Sequence, residues 1–326
     1  MGLPDFLLLG APKAGTTALH VALAAHPQLH LSAVKEPKFF LTDGPPPTGG
    51  GPGDAQTYRG YVWQRPEYEA LFEGAQGRLC GESTTLYLRD PAAHLRIRAL
   101  VPQAKLIAVL RDPVDRAHSN WAHLRSAGLE PESDFLHACT REDDRAEAGW
   151  GPFWRYLGLG RYGEQLQHLY SVFPREQVLL LMYRDLRERP LETLDQVCAF
   201  LGVQTGLVSE VPAENVTAHV ERTPLNDLLH RVTSSGLRRV LPDRVHGAAV
   251  RMLQREQRTR TALQPGERRL LIPNFAEDVA LLEELTGRSY AHWRDPRNGS
   301  ARRQLDLPAR IGTAYQSIDR PLPVTG

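Results

Sequence analysis

Residues 6–17, FLLLGAPKAGTT, decide the fold that we predict for this chain. The first four residues are apolar without polar alternation, which is typical of a strand covered on both faces of a parallel sheet. Gly10 and Gly15 then predict a turn whose backbone N–H groups converge on a phosphate at the start of a helix. A strand, a glycine-rich turn and a helix in this order predict a βα unit of an α/β protein.

The lysine of this turn limits the kind of phosphate compound that the turn can serve. A Walker loop reads G-x-x-x-x-G-K-[ST], and its lysine reaches the β- and γ-phosphates. Here the glycines keep that spacing, but Thr16 follows Gly15 and the lysine is Lys13, inside the turn. We expect its charge at the mouth of the loop, next to the bridging oxygen beyond one bound phosphate. That place suits a donor with one phosphate and a short leaving bond better than a triphosphate.

Composition and length are those of an ordinary globular protein. The chain has 326 residues, of which 41% are apolar and 24% charged, and its net charge of +1 does not favour nucleic acid or a membrane surface. Its three cysteines are scattered, so we predict buried, reduced thiols and neither a disulfide framework nor a metal site. The N-terminal apolar run is too short for a signal peptide, and no stretch approaches the roughly 18 apolar residues of a membrane span. We therefore expect a cytoplasmic protein.

Further apolar runs repeat the pattern of the first. Leu106–Leu110 and Val178–Met182 are predicted strands, and Leu79–Gly81 is a candidate fourth. Helical patterns alternate with these runs, which predicts an α/β fold with a P-loop-like central parallel sheet flanked by helices. We predict a single domain over residues 1–299, followed by a C-terminal tail or packing arm over residues 300–326.

Two local patterns refine this division. The segment Asp43–Gly53 is rich in proline and glycine, which predicts a mobile surface loop. Asn274 and Glu277 have the spacing of a capping box, which predicts the start of a helix there.

A second motif stands at the end of the predicted strand Leu106–Leu110. The sequence LIAVLRDPVDRAHSNWAHLR places Arg111 and Asp112 at the strand end, and Ser119 stands eight residues after Arg111. Together with FLLLGAPKAGTTAL, this pair of motifs resembles the sulfotransferases that use 3′-phosphoadenosine 5′-phosphosulfate (PAPS). The segment VKEPKFF is most similar to the heparan-sulfate-type enzymes and their bacterial relatives. The resemblance covers about residues 5–295.

The resemblance implies which residues bind the donor. The first turn would hold the 5′-phosphosulfate, while the guanidinium and the hydroxyl of the second motif suit a doubly charged 3′-phosphate. A later segment would close over the adenine and the 3′-phosphate. The implied donor-binding residues are Lys13, Ala14, Gly15, Thr16, Thr17, Arg111, Ser119, Asn215, Thr217 and Arg222.

Three residues are candidates for the chemistry. Sulfuryl transfer needs charge stabilisation on the leaving oxygen and removal of a proton from the acceptor, and it needs no metal if side chains neutralise the leaving group. Lys13 is our candidate for the first task. The resemblance implies that Glu36 is the base and that His123 lies near the sulfuryl group. Each also has a structural interpretation: Glu36 as a solvated turn glutamate between Lys35 and Lys38, and His123 as an ordinary helical histidine. The charges of the two lysines should lower the pKa of Glu36.

The acceptor is less well specified. Glu82 matches an acidic position of the family, but Ser83 follows it where related enzymes usually have lysine, so an anionic polysaccharide is not carried over. The aromatic segment 150–156 suits either a wall of the acceptor pocket or the core. We expect a hydroxyl, or secondarily an amine, of a small molecule or glycoside. The abundance of Ala, Arg, Gly and Pro suggests a bacterial source and natural-product biosynthesis.

Two alternatives from other classes remain open at this point. The first is a P-loop kinase or NTPase, with Asp112 as a ligand of Mg²⁺, and the position of Lys13 speaks against it. The second is a nucleotide-binding interaction module without activity. The sequence also leaves open whether the chain forms a homo-oligomer.

Overall fold

A computed structural model describes residues 2–212 and 262–296 of the chain. Within them, five strands form one parallel sheet in the order β2-β3-β1-β4-β5. The strands are β1 (Phe6–Gly10), β2 (Leu29–Leu31), β3 (Leu79–Ser83), β4 (Lys105–Leu110) and β5 (Val178–Met182). This confirms the predicted fold class and all four predicted strands, while the short edge strand β2 was not predicted.

Helices surround the sheet in the described ranges. They are α1 (Thr16–Ala24), α2 (Asp54–Arg59), α3 (Arg65–Ala70), α4 (Pro91–Leu100), α5 (Pro113–Ser126), α6 (Phe135–Thr140), α7 (Glu142–Glu147), α8 (Tyr162–Val172), α9 (Tyr183–Glu188), α10 (Pro190–Leu201), α11 (Pro265–Leu271) and α12 (Ala276–Thr286). Single 3₁₀ turns lie at Phe39–Leu41, Tyr87–Arg89, Pro152–Trp154, Gly158–Gly160, Arg175–Gln177, Ile272–Phe275 and Ala291–Arg294.

The core lies between the sheet and these helices. Strand β1 is buried along its whole length, and so is β4 after its first residue, because both are central strands covered on two faces. Helix α1 packs against α10, whereas α8 packs against both α4 and α12. The three cysteines, Cys80, Cys139 and Cys198, are buried and unpaired, as predicted. None of the helices in the described ranges has the length and apolar character needed to cross a bilayer.

The strand order creates a crevice between β1 and β4. The connection after β1 runs toward β2 at one edge, whereas the connection after β4 runs toward β5 at the other edge. Loops that leave neighbouring parallel strands in opposite directions open a crevice at the carboxyl ends of those strands, where open α/β sheets bind their ligands. Both predicted phosphate motifs follow these two strands.

The predicted capping box at Asn274 and Glu277 is wrong, although a helix does begin beside it. Helix α12 begins at Ala276, its first turn has no side-chain cap, and the Asn274 side chain donates backward to the carbonyl oxygen of Leu271. The reason is that residues 272–275 form a 3₁₀ turn continuing from α11, so Asn274 lies inside a helical path. A capping box does exist at the start of α11, between Gln264 and Glu267.

Candidate active site

The turn between β1 and α1 has the conformation that its glycines predict. Gly15 directly precedes α1 with a φ of 85°, in the left-handed region that glycine adopts easily, and Lys13 has a φ of 67°. Thr16 is the buried first residue of α1, and Thr17 beside it is exposed. The first turn of α1 contains no acidic residue, so the positive end of the helix is not neutralised locally. The turn is therefore suited to an anion.

Arg111 joins the second motif to this turn. Its Nη1 donates a hydrogen bond of 2.7 Å to the carbonyl oxygen of Lys13, and its guanidinium lies 4.6 Å from the ring centre of Tyr183. Its Nε is buried without an acceptor among the described residues, which is typical of a donor that meets a ligand. Ser119 lies half-buried on α5, the helix that follows.

Asp112 has a structural task at the start of α5. Its Oδ1 accepts hydrogen bonds from the backbone N–H groups of Val114, at 3.0 Å, and Asp115, at 3.1 Å. Its Oδ2 accepts a hydrogen bond from the buried Arg268, which also contacts Asp115 at 2.9 Å. Both oxygens are thus engaged, as a helix cap and as one half of a buried ion pair.

Glu36 lies in a tight turn after β2 and has a φ of 59°. Its backbone N–H donates to the carbonyl oxygen of Ser83 at 2.9 Å, and the hydroxyl of Thr85 donates to its Oε1 at 2.9 Å. The ammonium of Lys35 lies 3.4 Å from Oε1, and that of Lys38 lies 3.6 Å from Oε2. Residues at the end of β3 therefore hold the predicted base.

These neighbours decide the protonation state of Glu36. Burial raises the pKa of its carboxyl, but the charges of Lys35 and Lys38 and the hydrogen bond from Thr85 outweigh burial, so the pKa lies below its ordinary value. The predicted effect of the two lysines is confirmed. Glu36 is a carboxylate at neutral pH, as a proton acceptor must be, although a lower pKa makes it a weaker base.

His123 lies on α5, close enough to the turn for the charge of Lys13 to affect its titration. Burial and Lys13 lower the pKa of His123 to about 4, so its imidazole is neutral at pH 7. Its ring packs edge-on against Phe153 at 6.0 Å between ring centres. A neutral imidazole can hydrogen-bond a sulfuryl oxygen or an acceptor hydroxyl, and it adds no positive charge to that of Lys13.

Glu82, which matches an acidic position of the family in the sequence, is completely buried. Its carboxylate accepts hydrogen bonds from the hydroxyls of Tyr68 (3.0 Å), Thr84 (2.8 Å) and Tyr87 (2.8 Å). Burial raises its pKa to about 7, against the opposing effect of those hydroxyls. Glu82 therefore joins three hydroxyl groups in a buried hydrogen-bond network, which the sequence did not indicate.

His20 is a polar side chain beside Ser83 that the sequence did not indicate. Its Nδ1 lies 2.8 Å from the hydroxyl of Ser83, and burial followed by the charge of Lys35 lowers its pKa to about 4. It stands four residues after Thr16, so it shares a helix face with that residue, and this spacing is the signal that could have found it. His20 connects α1 to the end of β3.

Two residues of the aromatic segment have the core position that was one of its two predicted roles. Trp154 and Tyr156 are buried in the core, whereas Phe153 lies beside His123. Asp54 fixes the segment, since its Oδ1 accepts from the indole of Trp154 at 3.0 Å and its Oδ2 from the backbone N–H of Gly151 at 2.7 Å.

The preceding Pro- and Gly-rich segment is attached to the same place. Residues 43–50 lie largely on the surface, but Gly51 is buried, and its N–H donates to Asp54 at 2.6 Å. A Cβ on Gly51 would lie 2.6 Å from the Trp150 ring, so the two segments touch. Asn215, Thr217 and Arg222, and the predicted tail over 300–326, lie outside the described residues.

Comparison with known proteins agrees with this geometry. Residues 82–229 match the family model described as a sulfotransferase domain. A sulfotransferase of solved crystal structure from Alicyclobacillus acidocaldarius is 28% identical to the chain, with a TM-score of 0.72 over 90% of this chain and 100% of that one. Among curated proteins, heparan sulfate glucosamine 3-O-sulfotransferase 6 of Homo sapiens is 30% identical over 201 residues. The bifunctional heparan sulfate N-deacetylase/N-sulfotransferase 4 of Mus musculus is 29% identical over 212 residues.

The shared lengths differ between these relatives. The match to the human protein covers 62% of this chain and 53% of that protein, and the match to the mouse protein covers 62% and 22%. The chain thus spans about half the length of the human 3-O-sulfotransferase that it matches. The family match over residues 82–229, the similar bacterial structure and the parallel sheet agree, and we conclude that this chain has the fold of the sulfotransferases.

Proposed function

We propose that this protein moves a sulfuryl group from PAPS to a hydroxyl of a small molecule or glycoside, and secondarily to an amine. The hydrogen bond from Arg111 to the carbonyl of Lys13 carries the proposal, because it joins the two phosphate motifs across the crevice between β1 and β4. A donor with two separate phosphate groups needs two anion sites at a fixed distance. Held together in this way, the two turns supply them.

The turn around Lys13 stabilises the leaving group. In an in-line transfer, the bond between sulfur and the bridging phosphate oxygen breaks, and its electron pair stays on that oxygen. A lysine inside the turn places a positive charge next to that oxygen, while the N-terminal end of α1 stabilises the phosphate. These residues can offset the developing charge with protein groups alone.

Glu36 removes the proton from the acceptor. As the acceptor oxygen forms its bond to sulfur, its proton passes to the Glu36 carboxylate, which the neighbouring lysines keep ionised. His123 is neutral and lies near Lys13, so we assign it a hydrogen bond to the moving group or to the acceptor. Ser83 replaces the lysine usual in relatives, which supports an acceptor with less negative charge than a sulfated polysaccharide.

The kinase alternative required Asp112 as a ligand of Mg²⁺. In the structure, its Oδ1 caps α5 and its Oδ2 pairs with Arg268, so this carboxylate is already engaged. The displaced Lys13 and the engaged Asp112 both favour sulfuryl transfer. The module without activity remains to be separated by experiment.

The test is incubation of the protein with PAPS and a pool of candidate acceptors, followed by mass spectrometry for products heavier by one SO₃ group. We expect such products with and without EDTA, and tight binding of adenosine 3′,5′-bisphosphate by calorimetry. Transfer that needs Mg²⁺ and ATP would overturn the proposal in favour of a kinase. Bisphosphate binding without transfer to any acceptor, together with unchanged cellular function of Lys13→Ala, would favour the module.

A further inference from the structure

The turn that carries Glu36 is unfavourable by itself. Glu36 and Lys38 have φ values of 59° and 61°, in the left-handed region where a Cβ crowds the backbone. Neither is a glycine, and Pro37 stands between them. Two such residues within one short turn persist only when the surrounding structure holds them there.

The residues that follow Glu82 supply much of this support. The carbonyl of Ser83 accepts from the N–H of Glu36 at 2.9 Å, and the hydroxyl of Thr84 accepts from the N–H of Lys38 at 3.2 Å. The hydroxyl of Thr85 donates to the Glu36 carboxylate at 2.9 Å. Three consecutive residues therefore hold the backbone of the turn at two points and its carboxylate at a third.

The Glu82 carboxylate fixes the direction of the Thr84 hydroxyl. Its proton is donated to the Glu82 carboxylate at 2.8 Å, so its oxygen is left to accept from Lys38. Glu82 is held in turn by the hydroxyls of Tyr68 and Tyr87. While Glu82 is ionised, this buried network gives the end of β3 one arrangement of donors and acceptors.

The contacts of Glu36 treat its two oxygens differently. Oε1 accepts from Thr85 at 2.9 Å and from Lys35 at 3.4 Å. Oε2 has only the longer approach of Lys38, at 3.6 Å, and takes part in no hydrogen bond with the residues that the structure describes. A carboxylate held by one oxygen presents the other oxygen in a defined direction.

We propose that Thr85 is a positioning residue, which fixes Oε1 of Glu36 and so presents Oε2 as the atom that takes the proton of the acceptor. This proposal rests on the proposed function. Ser83 and Thr84 hold the backbone of the same turn, and of the three residues after Glu82 it is Thr85 that contacts the carboxylate. The hydroxyl of Thr85 also stabilises the ionised form of Glu36, which links its effect on geometry to an effect on titration.

The test compares wild type with Thr85→Val, which keeps the shape and removes the hydroxyl, and with Thr85→Ser, which keeps the hydroxyl. We expect kcat/KM of Thr85→Val to fall about tenfold to a hundredfold, the range for one hydrogen bond to a charged group. The acidic limb of its pH profile should move to higher pH, because the carboxylate has lost a donor. Thr85→Ser should restore both values to near wild type, and bisphosphate binding should stay unchanged in all three.

A second measurement does not depend on turnover. Carbon-13 NMR of labelled glutamate, with Glu36→Gln for assignment, reports the pKa of Glu36 directly, and Thr85→Val should raise it. If Thr85→Val does not fold, the pair Thr85→Ser and Thr85→Ala isolates the same hydroxyl. An unchanged limb, an unchanged pKa or a failure of serine to rescue would overturn the role of Thr85. Absence of any transfer by the wild type would instead overturn the proposed function.

Discussion

Two turns lie at the carboxyl ends of the neighbouring strands β1 and β3, and they are held in different ways. The turn around Lys13 follows β1, and the turn around Glu36 follows β2 but is held by residues at the end of β3. The first follows β1 directly, and its shape comes from the backbone, a left-handed Gly15 and the start of α1. The second depends on side chains and carbonyls of residues 83–85, which are far from it in the sequence.

This difference predicts different sensitivities. Backbone N–H groups and a helix end do not titrate, so the turn around Lys13 should be largely insensitive to pH. The surroundings of the Glu36 turn do titrate: the pKa of Glu36 is lowered, that of Glu82 is about 7 and that of His20 is about 4. Substitutions around Glu36 should therefore change pH profiles as well as rates, whereas those around Lys13 should change rates alone.

Glu36→Gln should have the largest effect on catalysis. Loss of a general base typically costs about 10²–10⁴ in rate. We expect kcat/KM to fall within that range while adenosine 3′,5′-bisphosphate still binds, measured by mass spectrometry of product and by calorimetry. Glu147→Gln, at an exposed position of α7, is the matched control and should keep full activity. A loss smaller than tenfold in Glu36→Gln would remove Glu36 from the chemistry.

Lys13→Ala should lower the rate by about 10²–10³, the usual effect of removing one charge-stabilising group. The acidic limb of the pH profile should keep its position, since Glu36 retains both of its lysines. Single-turnover kinetics at saturating PAPS measure the loss in the chemical step. Thr17→Ala changes an exposed hydroxyl in the same turn, and we expect it to lose less than Lys13→Ala. An equal loss in both variants would contradict a special role for Lys13.

Glu82 should make stability depend on pH. Its pKa is about 7 in the fold and near 4.5 when exposed, so between these values the native state binds more protons than the unfolded state. The free energy of unfolding should therefore fall as pH rises from 4.5 to 7, by about 3 kcal/mol for this group. Urea unfolding at several pH values should show this slope in wild type and a flatter one in Glu82→Gln. Equal slopes would show that Glu82 does not titrate in this range.

His123→Asn should have the smallest effect, about tenfold in kcat/KM, as expected for one lost hydrogen bond. Because the pKa of His123 is about 4, the wild-type imidazole is neutral above pH 5, and the substitution should leave the profile between pH 5.5 and 8 unchanged in shape. His137→Asn, an exposed histidine of α6, should behave as wild type. A limb near pH 6.5 that disappears in His123→Asn would show that the imidazole is charged in the working enzyme.

The sequence predicted features that depend on local patterns. The strands Leu106–Leu110 and Val178–Met182, the turn with its displaced Lys13 and the place of Arg111 at a strand end are each encoded within a few residues. Apolar runs and glycines act on the chain where they stand, so their effect can be predicted without knowing the rest of the fold. The capping box at Asn274 was wrong because a neighbouring 3₁₀ turn took that residue into a helical path.

The amino-acid sequence by itself determined the fold class, the two phosphate motifs and the choice of Glu36 as the candidate base. Lys35 and Lys38 could be predicted as its neighbours, but only the tertiary structure showed that Thr85 and the buried network around Glu82 support it. It also turned Asp112 from a candidate metal ligand into a helix cap paired with Arg268. The physical reason is that these contacts join segments whose distance depends on strand order, and the placing of the edge strand β2 beside β3 has no signature within either segment.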